Sequence, residues 1–166
     1  LGWAGLAADA AAAADVAFAA ARSHEAVFGT RSPPPRLAME VADELHKRTT
    51  RGLARPAGVK LLIAGHDRTS GPTLHAVDPL GNLHRCRALA VGARAAQANE
   101  WLASQPDPRD LGAGELLGLC AEALRRATRG EPRQPAGSEL SACIVGPGGD
   151  CRVVRGQAVA ELWAGG

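Results

Sequence analysis

Arg55-Pro56-Ala57-Gly58-Val59-Lys60-Leu61-Leu62-Ile63-Ala64-Gly65-His66-Asp67 is the stretch where the chain changes period. Before it, apolar residues recur at helical spacing. Within it they form a short run containing Val and Ile. Val59 to Ala64 reads as a buried strand ended by Gly65. His66-Asp67 reads as a polar turn after that strand, with an acid–base pair as the sharper alternative.

Toward the N-terminus, Arg36 to Thr49 reads as a helix. Leu37, Val41 and Leu45 repeat every four residues beside Ala38 and Ala42, and the charged residues fall mostly elsewhere. Pro33-Pro34-Pro35 and Gly29 separate it from an earlier helix, because proline has no amide donor. That earlier helix is Ala8 to Val27, rich in Ala, the best helix former. Asp9 near its start suits the helix dipole.

Toward the C-terminus, Ser70-Gly71-Pro72 introduces a strand, Thr73 to Val77. Asp78-Pro79-Leu80-Gly81-Asn82 is a strong turn signal. Leu83 to Val91 resumes as a strand and completes an antiparallel meander closed by Gly92. Ala93 to Ser104 reads as a helix with Ala98, Trp101 and Leu102 inward. Gln105 to Gly112 is a polar connection. Gly114 to Thr128 is the next helix, with Leu116, Leu117, Cys120, Ala123 and Leu124 inward. Glu122, Arg125, Arg126 and Arg129 fall outward. After a loop, Leu140 to Val145 and Cys151 to Val154 form a hairpin around Pro147-Gly148-Gly149-Asp150. Gln157 to Trp163 reads as a short closing helix. Blocks of strands between blocks of helices predict an α+β fold with antiparallel sheets.

Bulk properties agree with one folded domain. The chain has 166 residues, 46% of them hydrophobic and 22% charged, which argues against disorder. Net charge is +2 and only Lys47 and Lys60 are lysines among the 19 basic residues. So small an excess argues against a nucleic-acid surface. Leu1 to Ala21 is apolar, but Asp9 and Asp15 interrupt it and no basic region precedes it, which argues against a signal peptide or membrane span. Cys86, Cys120, Cys143 and Cys151 form no Cys-x-x-Cys pair, so no zinc site is expected. The chain starts with Leu in apolar sequence, as a fragment would.

The element order and several local motifs resemble the proteasome subunit family, in its alpha-type class. Ala4-Gly5-Leu6-Ala7-Ala8-Asp9-Ala10 is similar to the family's Ala-Gly-Leu-Thr-Ala-Asp-Ala, where a strand gives way to the first long helix. Arg55-Pro56-Ala57-Gly58 resembles an Arg-Pro-aromatic-Gly stretch before a core strand. Leu61 to Asp67 resembles that strand and its exit turn, and Gly71-Pro72 opens the next one. Asp78-Pro79-Leu80-Gly81 resembles the family's hairpin turn. Cys86 to Arg94 looks most like the alpha-type-1 member, and Ile144-Val145-Gly146 fits the late strand and its turn. There are departures: Ala7 replaces a helix-start Thr, read as a lost side-chain cap worth roughly 1 kcal/mol. Ala57 replaces the aromatic, and the chain has no Tyr.

The resemblance implies one domain over 1–166, an antiparallel β-sandwich flanked by helices in four layers, like the N-terminal-nucleophile hydrolases. It also implies that the family's N-terminal helix and first strands lie before Leu1. It implies a non-catalytic subunit of the seven-membered alpha ring of the 20S core, partnered by other alpha subunits, the beta ring and the regulatory particle. Cytoplasm and nucleus are the implied locations. No catalytic residue, cofactor, metal, nucleic acid or membrane partner is expected. Catalytic beta-type relatives use an N-terminal Thr and a Ser after the strand ending near Gly92. Here the chain begins with Leu1, and Gly92-Ala93-Arg94 has no hydroxyl. The rival expectations are a beta-type threonine hydrolase that lost its catalytic end, and a diverged paralogue outside the ring.

Other candidates have structural readings. His75 and His84 are expected to face each other across the hairpin as a structural pair. Ser23-His24-Glu25 are helix neighbours pointing in different directions, and so no triad. Gly146-Pro147-Gly148-Gly149-Asp150 lacks the Lys-Ser/Thr of a phosphate loop. Arg125, Arg126 and Arg129 form a basic ridge, either solvated or an inter-subunit contact.

Overall fold

The computed structural model describes residues 1–50, 55–69, 71–130, 135–136, 139–147, 149–156 and 159. The chain forms two compact units, Leu1–Cys86 with Pro147–Gly149, and Arg87–Gly146 with Asp150–Gly166.

In the first unit, β1 (Gly2–Gly5), β2 (Val59–Asp67), β3 (Gly71–Val77) and β4 (Leu83–Cys86) form one antiparallel sheet in that order. Helices α1 (Ala7–Phe28) and α2 (Pro34–Thr50) lie against it. Alternation along β2 buries Val59, Leu61 and Ile63 and leaves Lys60 and Ala64 exposed. This strand therefore buries one face within its unit, where the reading of a buried strand implies two. Ala38, Val41, Ala42 and Leu45 of α2 and Ala10 and Ala13 of α1 close the same core. The predicted stripe of α2 is this core face, with Leu37 half-buried at its margin. Pro34 opens α2, where its missing amide costs nothing.

Strand limits differ from expectation in several places. β2 runs through Gly65 to Asp67, so His66-Asp67 ends a strand and is no turn. Gly65 is needed for closeness, because a Cβ there would collide with the Pro34 ring. β1, legible only through the family motif, pairs with β2 in the register Trp3↔Leu61. β4 stops at Cys86 where Leu83 to Val91 was expected. Beyond it, the Asn99 carboxamide takes over Ala90, accepting from its N–H at 2.7 Å and donating to its carbonyl at 3.0 Å. A side chain thus satisfies the backbone groups a strand partner would have satisfied.

The Asp78–Asn82 turn docks on α2. Asp78 accepts from the amides of Leu80 and Asn82, each at 2.9 Å. Gly81 has φ +85, and an added Cβ would lie 2.5 Å from the Ala42 carbonyl and 2.6 Å from the His46 amide.

In the second unit, α3 (Ala95–Ala103), a short 3-10 turn (Pro108–Asp110) and α4 (Ala113–Thr128) precede β5 (Ser141–Val145) and β6 (Cys151–Arg155). The two strands form an antiparallel hairpin. Only Ala98 of α3 and Ala121 and Ala123 of α4 are buried in these helices. Cys120 and Leu124, expected inward, are exposed. The buried positions of these two helices are alanines, while the larger side chains beside them stay half-buried or exposed. The closing helix Gln157 to Trp163 lies outside the described residues, apart from Val159.

Candidate functional site

Two separated motifs meet at one carboxylate. Asp9 sits in the first turn of α1, whose N-cap is Leu6 in extended conformation. Position 7 is therefore the first helical residue, and a Thr there would not be the cap that the sequence reading assumed. The cap amide is satisfied by chain: the Leu6 N–H donates to the Gly58 carbonyl at 2.8 Å. The Gly58 N–H in turn donates to Asp9 Oδ2 at 2.7 Å. Arg55 completes the junction with a two-pronged pair, Nη1 to Oδ2 at 2.7 Å and Nη2 to Oδ1 at 3.0 Å.

Closeness requires glycine at position 5 and merely favours it at position 58. At Gly5, with φ +131, a Cβ would strike the Gly58 carbonyl. At Gly58 it would lie 2.7 Å from Leu6 Cδ1. Ala57, in the aromatic position of the family stretch, is 2% exposed. So the β1–α1 corner and the lead-in to β2 are locked by backbone bonds, one carboxylate and the absent side chain of Gly5.

The electrostatics agree. Asp9 is 7% exposed, yet its pKa lies below the ordinary 3.8, because Arg55 and then the Gly58 amide hold the ionised form. Desolvation opposes them and loses. A carboxylate whose oxygens are already engaged and which stays ionised is suited to bracing, not to moving protons.

The remaining candidates are not assembled into a site. His75 is opposite Arg85, and His84 is opposite Ala76. The two histidines lie on opposite faces of the sheet, so the expected cross-strand pair does not form. His75 is 5% exposed, and burial, then the nearby Arg85, push its pKa down. Asp67 Oδ1 accepts from the Thr69 amide and hydroxyl, both at 2.7 Å, and closes the strand end. His24 stacks on Phe28 with ring centres 4.5 Å apart, while Ser23 and Glu25 are exposed.

Arg125 and Arg126 of the expected basic ridge are tied down, while Arg129 caps the end of α4. Glu122 takes Arg125 at 3.0 Å and Arg126 at 2.9 Å. Arg126 also lies over the Trp101 ring, 4.8 Å from its centre. Its cation–π contact joins α3 to α4. Gly92-Ala93-Arg94 leads into α3, where Arg94 is the N-cap with φ 55. Gly146 N–H donates to the Asp150 carbonyl at 2.9 Å, as a hairpin requires. Among the described residues, no group of three or more His, Cys, Asp or Glu is placed to hold a metal ion. No helix among them is long and apolar enough to cross a membrane.

The sequence model of the family described as "Proteasome subunit" matches residues 1–145. The chain belongs to the proteasome subunit family. Among the described residues, a four-stranded antiparallel sheet, a two-stranded hairpin and four helices make the α+β fold expected of that family. The Saccharomyces cerevisiae proteasome subunit alpha type-2 is 39% identical over 80 residues, 48% of this chain and 32% of the relative. A probable alpha type-2 subunit of Neurospora crassa is 34% identical over 119 residues, 71% of this chain and 46% of the relative. The proteasome subunit alpha of Picrophilus torridus is 29% identical over 127 residues, 76% of this chain and 53% of the relative. These relatives are alpha-type proteasome subunits, which supports the alpha class. The chain spans about a third to a half of their length.

The Asp9–Arg55 link, 46 residues long in sequence, was not read from either motif alone. The available signal was a lone acid opening an alanine-rich helix, together with an Arg-Pro-x-Gly segment leading into a core strand.

Proposed function

We propose that this chain is the scaffold portion of a non-catalytic alpha-ring subunit of the 20S proteasome core. The observation that carries the proposal is the family match over residues 1–145 together with relatives named as alpha subunits. The junction supports it, because both halves of the family motif converge on Asp9, and they brace a fold rather than build a nucleophile site. On this reading the partners are neighbouring alpha subunits, the beta ring and the regulatory particle, in cytoplasm and nucleus. The chain acts as a single subunit domain, with no catalytic residue, cofactor or metal of its own. Ring position stays with this proposal: the Cys86 to Arg94 stretch suggests alpha type 1, whereas the relatives carry types 2 and 3.

The test is co-sedimentation of the tagged full-length protein with core particles from its own cells. Recovery in particle fractions, at a stoichiometry matching other alpha subunits, is expected. Migration only as a monomer in native gels would overturn the proposal. An N-terminal Thr exposed by processing in the full-length protein would replace it with the threonine-hydrolase reading.

A further inference from the structure

The β5–β6 hairpin carries two cysteines that neither the family match nor the junction explains. In its register Cys143 pairs with Val153, and Val145 pairs with Cys151. Residues two apart in a strand share a face, so both thiols lie on one side of the hairpin, diagonally across the ladder. Their sulfurs are 2.7 Å apart. A disulfide is about 2.05 Å long, so the sulfurs already lie within about 0.7 Å of bonding distance. Both residues are exposed, which leaves the sulfurs open to small reagents. The Gly146–Asp150 turn bond holds the strands in this register.

We propose that Cys143 and Cys151 are a reversible modification site, a vicinal dithiol that a low-molecular-weight disulfide converts to an intrachain bridge across the hairpin. The reaction is two thiol–disulfide exchanges. The Cys151 thiolate attacks one sulfur of glutathione disulfide, forming a mixed disulfide and expelling one glutathione thiolate. The Cys143 thiolate then attacks the Cys151 sulfur and expels the second. Two protons leave the protein thiols and end on two glutathione molecules. The protein loses two electrons and the glutathione disulfide gains them. The two roles can exchange; the neighbouring Cys151 sulfur, then burial, push the Cys143 pKa up. The bridged form ties β5 to β6 covalently; the dithiol form leaves them joined by backbone bonds alone.

The experiment uses the full-length protein, in core particles where it assembles. It is equilibrated with glutathione disulfide, alkylated and digested with trypsin. Both cysteines fall on one tryptic peptide, 134–152. The bridge is therefore read as an unalkylated peptide about 2 Da lighter than the dithiol, reversed by reductant. We expect this species to exceed the single glutathione adducts of the same peptide by about tenfold, since the second thiol is at high effective concentration. Cys143→Ser and Cys151→Ser are each expected to convert it to a stable adduct on the remaining cysteine. Persistent adducts on the unsubstituted protein, or full alkylation of both cysteines after oxidation, would overturn the proposal.

Discussion

Leu61 on β2 has no exposed surface, whereas Leu124 on α4 is 41% exposed. The contrast extends to their units. The first unit sets a sheet against two helices through Val, Leu and Ile contacts and places glycines where no side chain fits. The helices of the second unit bury only alanines; the Arg126 guanidinium over the Trp101 ring joins them, and Glu122 holds Arg125 and Arg126 along one helix. Removing methyl groups should therefore hurt one unit and barely affect the other. In the full-length protein, Leu61→Ala is expected to cost about 3 kcal/mol in urea denaturation, as buried Leu truncations do. Leu124→Ala is expected to stay within about 0.5 kcal/mol. Equal costs would erase the distinction.

Gly81→Ala tests the second device of the first unit. The substitution adds one methyl to a positive-φ residue pressed against the α2 backbone. Strain and overpacking combine, for an expected loss of about 2–4 kcal/mol. Gly130, also at positive φ but with nothing within 4 Å of an added Cβ, should lose less, about 1 kcal/mol from backbone strain alone. A Gly81→Ala variant no worse than Gly130→Ala would mean that the turn does not rest on α2.

The difference between the units also explains what could be read in advance. The α2 stripe was legible because Val41 and Leu45 are large, and their period names their partner face. Gly81 was legible as a turn, but the α2 backbone against it was not, because closeness leaves no mark in sequence. In α4 the same periodic reading placed Ala123, Cys120 and Leu124 inward; Ala123 is buried, but Cys120 and Leu124 are exposed and Ala121, which it passed over, is buried, since alanine is a weak pointer. At the junction, both motifs were visible, and only three-dimensional structure could show that one carboxylate joins them. The histidine pair failed on register: a shift of one residue changes which face a side chain takes.

Substitutions at the junction should rank by how many partners are lost. Asp9→Ala strands the Gly58 amide and Arg55 together and is expected to lower the melting temperature most. Asp9→Asn keeps an acceptor for Gly58 and should fall between. Arg55→Ala should cost least, because that side chain is 61% exposed. An Arg55→Ala variant as unstable as Asp9→Ala would shift the weight from backbone capture to charge pairing. Because the folded pKa of Asp9 lies below 3.8, its contribution is fully present above that value. It is lost as pH falls from there through the folded pKa.

His75 acts in a milder range. Its folded pKa is below the ordinary 6.5 because of burial and Arg85, so the unfolded chain takes up the proton first. Stability is full above pH 6.5 and declines as pH falls from there through the folded value. His75→Gln should flatten that decline between pH 7 and 5 in thermal melts. An unchanged slope would show that the acid sensitivity of the first unit comes from another group.

The smallest expected effect belongs to the second unit and separates it most directly from the first. Glu122 is 31% exposed and serves two arginines on the same helix, three and four residues on. Such partly solvated pairs contribute about 0.5 kcal/mol each and weaken with salt. Glu122→Gln should therefore cost about 1 kcal/mol or less in dilute buffer, and nearly nothing near 1 M salt, where the Debye length is about 3 Å. The cation–π contact of Arg126 with Trp101 survives that substitution, which keeps the loss small. Leu61→Ala should show no comparable salt relief, because apolar burial carries no charge to screen. A Glu122→Gln penalty that persists undiminished in high salt would mean that the carboxylate is desolvated in the assembled protein, and that the second unit relies on a buried polar junction as the first does.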